Sequence, residues 1–199
     1  MRNKEIRTIA FLSIIGISIA GCVADSDDEV APQPANTIQR TIVHVNADGT
    51  YEQTFETVTM AQHQAEVEAR LALMEASRSA TGTHSNIIAL DNSCAASDLW
   101  LFDQVNLGGR QLCMFLRDES FAFLDLGQIF RLGPTGPIGT WSGAVRSLWA
   151  GVTPGNLTAC TPTLCFNGPG DGFHFNPFQR FDSVAPGTHP LNNIGLFAE

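Results

Sequence analysis

Basic residues are scarce in this chain: 11 Lys and Arg side chains stand against 20 Asp and Glu, a formal charge of −9. Removing residues 1–21 takes away three basic residues and one acidic residue, which leaves 8 basic and 19 acidic residues. A protein this acidic is repelled by phosphate backbones. Nucleic acid is therefore excluded as an expected partner.

The common signatures of catalysis are also missing. The sequence contains no Gly-x-Ser-x-Gly elbow and no His-Glu-x-x-His helix. It has no Cys-x-x-Cys pair to hold zinc, and its five histidines are scattered. His174, which lies between phenylalanines and near Asp171, is typical of a structural or surface histidine. The sequence predicts a protein that is not an enzyme and carries no cofactor.

One apolar run is long, and it lies at the N-terminus. The basic segment MRNKEIR precedes IAFLSIIGISIAG, which is too short for a comfortable membrane span. Ala20 and Gly21 come directly before Cys22. This pattern resembles the bacterial lipoprotein signal, in which cleavage leaves the cysteine as a lipidated N-terminus. An ordinary secretory signal is the alternative.

The resemblance implies export to the bacterial cell envelope, with lipid on Cys22 as the membrane anchor at the outer membrane or cell surface. Secretion is the other outcome of export. If Cys22 carries lipid, four cysteines remain, an even number that predicts two disulfides in an exported domain. Three connectivities stay open for Cys94, Cys113, Cys160 and Cys165.

Composition changes twice after the predicted signal peptide, residues 1–21. Residues 22–40 are acidic, contain prolines and have few large apolar side chains, which predicts a tether without a folded core. Residues 41–46 and 50–58 alternate in polarity around Asp-Gly, which predicts a small hairpin.

A helical pattern follows the hairpin from about residue 59 to 79. The segment has no Gly or Pro, and Val67, Leu71 and Met74 form an apolar stripe. Hairpin and helix together, residues 41–80, form either an accessory subdomain or a pro-segment.

The last part of the chain, residues 86–199, is rich in Gly, Pro and Phe. Its apolar runs are short and are separated by turn residues about every ten positions, which is typical of an antiparallel sandwich or barrel. The stretch FDQVNLGGR within it ends in a glycine pair. A phosphate loop needs a helix after its glycines, but RQLCMFL is strand-like. We therefore predict a tight connection between the strands LWLF and RQLCMFL.

This stretch resembles the Greek-key signature of the βγ-crystallin superfamily, in which glycine follows an aromatic residue by seven positions. Phe102 and Gly109 match those positions, and Trp141 in TWSGAVRSLWAG resembles the start of the last strand of the motif. LCFNGPGDGFHF, with Gly172 in the glycine position, and THPLNNIGLFAE resemble a degenerate second motif. The resemblance covers about residues 94–199.

The fold class implied by this resemblance is mainly β: a βγ-crystallin-like Greek-key sandwich, preceded by a small hairpin and one amphipathic helix. Many microbial members of the superfamily bind calcium through loop oxygens. The resemblance aligns Ser142 and Ser147 with that loop in the first motif, and Asn192 and Asn193 in the second. Arg146 stands where a hydroxyl is expected, so calcium remains an alternative and not the expected ligand.

The superfamily is also similar to small secreted metalloproteinase inhibitors that share its fold. Residues 133–140, GPTGPIGT, are the candidate contact because two prolines lower the entropy cost of an extended loop. A plain loop between strands is the alternative. The expected function is thus non-catalytic binding or structural support at the envelope, with a protease inhibitor and a calcium-binding module as alternatives, and with the membrane and a protein such as a protease as partners.

Overall fold

The computed structural model describes residues 36–46, 48–79, 93–117, 122–161, 164–166, 168, 170–185 and 187–197. The predicted signal peptide and Cys22 lie outside these residues. Numbered along the chain, the strands are β1 Thr37–Val45, β2 Tyr51–Thr59, β3 Leu99–Phe102, β4 Gln111–Leu116, β5 Ala122–Asp125, β6 Phe130–Gly133, β7 Gly136–Thr140, β8 Ser147–Ala150, β9 Gly155–Thr158, β10 Gly172–Phe175, β11 Arg180–Phe181 and β12 Asn193–Leu196. Helix α1 is Met60–Ser79, and a 3₁₀ turn spans Cys94–Ala96.

The protein is mainly β, as predicted, with two larger sheets packed around one core. The first sheet has the order β11-β8-β3-β4-β1-β2, the second β10-β9-β12-β5, and β6 with β7 forms a separate pair. Buried side chains from both larger sheets belong to one cluster, for example Leu101 and Met114 from the first and Leu157 and Ile194 from the second. This arrangement is consistent with a β sandwich.

Two groups of four strands are connected in the same way. β3, β4 and β8 lie in the first sheet, but β5 pairs with β12 in the second. β9, β10 and β12 lie in the second sheet, but β11 pairs with β8 in the first. The first group is thus β3, β4, β5 and β8, and the second is β9, β10, β11 and β12. The third strand of each group, β5 or β11, lies in the opposite sheet, and the two groups share one core.

The N-terminal strands belong to the first sheet. β1 pairs antiparallel with β2 and parallel with β4, in register from Arg40 opposite Gln111 to Val45 opposite Leu116. β1 begins at Thr37, inside the range that the sequence predicts as tether. Arg40 in β1 and its partner Gln111 in β4 are 71 positions apart, so no local sequence pattern indicates this pairing. The composition of residues 37–40 alone therefore suggests a tether.

Helix α1 covers the outer face of the first sheet with part of the predicted stripe: Val67 and Met74 are half-buried, but Leu71 is not on that face. Leu71, expected on the apolar face, is 43% exposed. His63 and Arg70 are buried instead, with Val67 packed against Trp100 and its neighbours. Within the described residues, no helix combines the length and apolar character needed to cross a membrane.

Arg70 fastens the helix to the sheet. Its Nη1 donates to the carbonyl oxygens of Cys94, Ala95 and Ser97 at 3.0–3.1 Å, and its Nη2 donates to Trp149 O at 2.9 Å. Burial lowers the pKa of Arg70 to about 9 and the nearby Asp98 carboxylate opposes this shift, so the guanidinium is charged at neutral pH. The helix thus docks through a buried cation that satisfies backbone carbonyls.

We expect Arg70→Ala to lower the free energy of unfolding by about 3 kcal/mol, because each buried carbonyl left without a donor costs about 1–3 kcal/mol. Arg78→Ala, at an exposed position of the same helix, is the control and should change it by less than about 0.5 kcal/mol. Urea unfolding followed by tryptophan fluorescence measures both. Equal midpoints for the two variants would contradict the assigned role.

Candidate functional site

Two loops meet at one end of the sandwich, where the sequence places its calcium candidates. Residues 141–146 precede β8, and residues 187–192 precede β12. The loops lie side by side, since Gly143 N–H donates to Leu191 O at 2.8 Å. A Cβ built on Gly143 would lie 3.0 Å from Pro190, so there is no spare room between them.

The two loops occupy equivalent places in their strand groups. Ser147 pairs with Phe102, and Asn193 pairs with Thr158. In both cases the residue before the pair donates its backbone N–H to the partner's carbonyl, at 2.8 and 2.9 Å. Asn192 and Asn193 therefore stand at the end of their loop, in the places that Arg146 and Ser147 occupy in the first, whereas the resemblance to the calcium loop puts them at its start.

The hydroxyl of Ser147 is engaged within the fold. It accepts from Leu107 N–H at 3.0 Å and donates to Gln104 O at 2.6 Å, and the residue is fully buried. These bonds fasten the β3–β4 connection to the start of β8. Ser142 is half-buried, and its backbone N–H donates to Leu126 O at 3.1 Å.

A guanidinium lies against the carbonyls of the first loop. Nη1 of Arg146 donates to Gly143 O and Val145 O, both at 2.9 Å. The positive charge of this guanidinium would repel a metal cation at the same carbonyl oxygens. The arginine thus supplies from within the chain the charge that a bound metal would bring.

The amide of Asn192 is used in the second loop. Its Oδ1 accepts from Cys160 N–H at 2.7 Å and from Asn193 Nδ2 at 2.9 Å, and its Nδ2 donates to Cys160 O at 2.6 Å. Over the described part of the chain, no group of three or more His, Cys, Asp or Glu side chains is placed to hold a metal ion.

Both predicted disulfides are present. Cys94 bonds Cys113 and Cys160 bonds Cys165, with Cα–Cα distances of 5.4 and 3.9 Å. The first is buried beneath α1 and ties the 3₁₀ turn to β4. The second closes a short loop after β9, next to the Asn192 amide.

The three residues that the sequence match assigns to a fold signature lie at the end of β3, before β4 and before β8. Phe102 ends β3, and Trp141 opens the loop before β8; both are fully buried. Gly109 has φ +78°, and a Cβ there would lie 2.2 Å from Asp103 Oδ1. In the second group it is Gly170, with φ +80°, that stands two residues before the strand. Gly172, which the sequence match places there, is instead the first residue of β10.

The predicted inhibitor loop, residues 133–140, runs from the last residue of β6 through a turn to the end of β7. Ile138 is 44% exposed, and the neighbouring Pro137 and Gly139 are exposed as well. The base of the pair is held to β1 and β2, because Phe130 O accepts from Thr41 Oγ1 at 3.0 Å and from Gln53 Nε2 at 2.9 Å. A fixed base thus carries an exposed apolar strand.

The structure contains one histidine–carboxylate pair that the sequence does not predict, because the sequence places Asp171 near His174 and not near His189. Asp171 Oδ2 lies 3.1 Å from His189 Nδ1, and the His189 ring stacks on Phe166 at 3.7 Å. His174 Nδ1 instead lies 2.8 Å from Asn156 Oδ1. No sequence signal could have joined Asp171 to His189, because 18 positions and a turn of the chain separate them.

Comparisons of the chain with protein-family models, with curated proteins and with solved structures gave no match.

We expect Gly109→Ala to lower the free energy of unfolding by at least about 1 kcal/mol more than Gly49→Ala does. Both glycines have φ near +79°, so both variants carry the strain of a left-handed alanine. A Cβ at Gly49 meets nothing within 4 Å, whereas one at Gly109 meets Asp103. Urea unfolding measures the difference, and equal losses would show that Gly109 matters only for its backbone angle.

Proposed function

We propose that this protein is an exported, lipid-anchored envelope protein whose βγ-crystallin-like Greek-key domain acts by binding and not by catalysis. The observation that carries the proposal is the exchange of strands between the sheets. β5 and β11 each leave their own group and complete the opposite sheet, which is the exchange expected of two Greek-key motifs that fold as one unit.

Local contacts support the same assignment. In the first group a glycine with positive φ, Gly109, turns the β3–β4 connection, and the hydroxyl of Ser147 pins that connection to β8. In the second group Gly170 and Asn193 stand at the equivalent places. The Cys160–Cys165 disulfide lies beside the second group.

A binding role also fits how the charged side chains are used. Arg40 pairs with Glu56 and Glu66, and Asp103 pairs with both Arg110 and Arg131. These ion pairs connect strands, the helix and the β6–β7 pair. They support a rigid scaffold, which is what a binding module needs.

The proposed anchor would leave the domain free to work away from the membrane. Fourteen residues, 23–36, separate the proposed lipid site from β1. A chain of that length spans at most about 50 Å when extended. The domain could therefore reach partners beyond the lipid headgroups without leaving the membrane.

Lipidation of Cys22 can be tested through the amines of the chain. Lys4 is the sole lysine in the sequence, so cleavage before Cys22 leaves the α-amine as the one amine of the mature protein. We expect that amine to be blocked by acylation, so that an amine-reactive reagent leaves the membrane form unlabelled. Intact mass and incorporation of an alkyne-bearing fatty acid measure the lipid directly.

The control is Cys22→Ala, which should take up no fatty acid and should keep Lys4 in an uncleaved, amine-labelled precursor. A wild-type mature chain that carries no lipid and starts elsewhere would contradict the anchor and leave an ordinary secretory signal.

Protease inhibition is a second candidate, because the exposed strand around Ile138 rests on a fixed base. A bacterial zinc endopeptidase of the thermolysin type is the probe. We expect saturable inhibition that weakens about tenfold or more in Ile138→Glu, since a charge replaces an apolar contact at the interface. Leu71→Glu, at a position of equal exposure on α1, should inhibit like the wild type. Absence of saturable inhibition, or equal loss in both variants, would contradict this candidate.

A further inference from the structure

A cleft of about 390 Å³ opens between the start of β1, the first turn of α1 and the β3–β4 connection. Pairing between β1 and β4 begins only at Arg40, opposite Gln111. Residues 37–39 therefore extend past β4 and border the cleft. Ile38, Met60 and Leu107 give it an apolar part, and His63 and Arg110 give it a polar part.

The orientation of His63 is determined by a hydrogen-bond chain behind the cleft. Gln111 Oε1 accepts from Arg40 Nε–H at 3.1 Å and from Trp100 Nε1–H at 3.2 Å. Gln111 must therefore present its amide nitrogen to His63 Nδ1, 3.0 Å away. Since Nδ1 accepts this bond, the proton of the neutral ring is on Nε2.

The ring is neutral and its donor is unused. Burial, and then the charge of Arg40, lower the pKa of His63 below its usual range. His63 is 9% exposed, and its Nε2 donates to no residue in the described part of the chain. The bond to Gln111 fixes the direction of the ring, so an acceptor in the cleft would find a donor already oriented.

The lining of the cleft places no acidic charge against an anion. No side chain that lines it is acidic, although the chain has 20 Asp and Glu residues. The acidic groups packed behind it, Glu56 and Glu66, are paired with Arg40, and Asp103 is paired with Arg110. α1 begins at Met60, so the positive end of the helix dipole borders the cleft as well.

We propose that this cleft binds a small organic carboxylate, with one carboxylate oxygen accepting from His63 Nε2–H and the hydrocarbon part against Ile38, Met60 and Leu107. Its volume lies at the lower end of the range for small-molecule sites, which suits a compound of benzoate size. The site goes beyond the proposed function, because neither the lipid anchor nor the Greek-key assignment requires it.

The test compares benzoate with benzamide, which has the same shape and no charge. The probe protein is the whole mature chain with both disulfides formed and its histidines labelled with ¹⁵N. We expect benzoate to move the His63 Nε2 resonance and to raise the proton affinity of His63 about tenfold, because a nearby anion favours the imidazolium. Benzamide should not change that proton affinity, and His189, stacked on Phe166 away from the cleft, is the internal control.

His63→Gln should abolish benzoate binding. The response of His63 itself is measured in the unaltered protein, so the test stands even if that variant fails to fold. Three results would overturn the proposal: no response to millimolar benzoate, an equal change in proton affinity with benzamide, or full benzoate binding in a folded His63→Gln variant.

Discussion

β3 alternates Leu99 and Leu101 with Trp100 and Phe102, and all four side chains are buried. Leu99 and Leu101 face the second sheet, while Trp100 and Phe102 belong to a separate cluster on the outer side. The first sheet must therefore be covered on both faces, because these aromatic rings are too large an apolar surface to leave in water. The second sheet covers one face and α1 covers the other.

The way in which α1 covers that face explains the buried polar contacts of Arg40 and Arg70. The helix brings few large apolar side chains, and it approaches the tryptophans with cations: the guanidinium carbon of Arg70 lies 5.8 Å from the ring centroid of Trp100 and 5.5 Å from that of Trp149. Arg40 reaches the same Trp100 ring from β1, at 5.9 Å. Buried cations need acceptors, and the 3₁₀ turn carbonyls and Glu66 supply them. Gln111, which orients His63, belongs to the same network because it also accepts from Arg40 and Trp100.

Much of the fold could be predicted from local patterns. The helix was expected from about 59 to 79 and runs from Met60 to Ser79, because residues without Gly or Pro and with strong helical propensity mark their own limits. The strand-like runs LWLF and QLCMFL and the even number of cysteines were equally readable. The buried face of the helix was only partly readable: Val67 packs inward as the apolar stripe predicts, but Leu71 is exposed and Arg70 is buried in its place. Likewise, Ser147 and Asn192 have suitable oxygen atoms for calcium, but whether those atoms are free depends on Leu107 and Cys160, which are distant in sequence.

By itself, the sequence determined the class of structure, the limits of the helix and the presence of two disulfides, because these follow from composition and from spacing within a few residues. Only the tertiary structure decided that β1 joins β4, that Cys94 bonds Cys113, that Arg146 lies against its own loop carbonyls and that His63 lines a cleft while its Nδ1 bonds Gln111. Each of these depends on atoms brought together from distant segments or from the exact turn of a loop, and the free energy of such contacts is set by three-dimensional packing that no local pattern records.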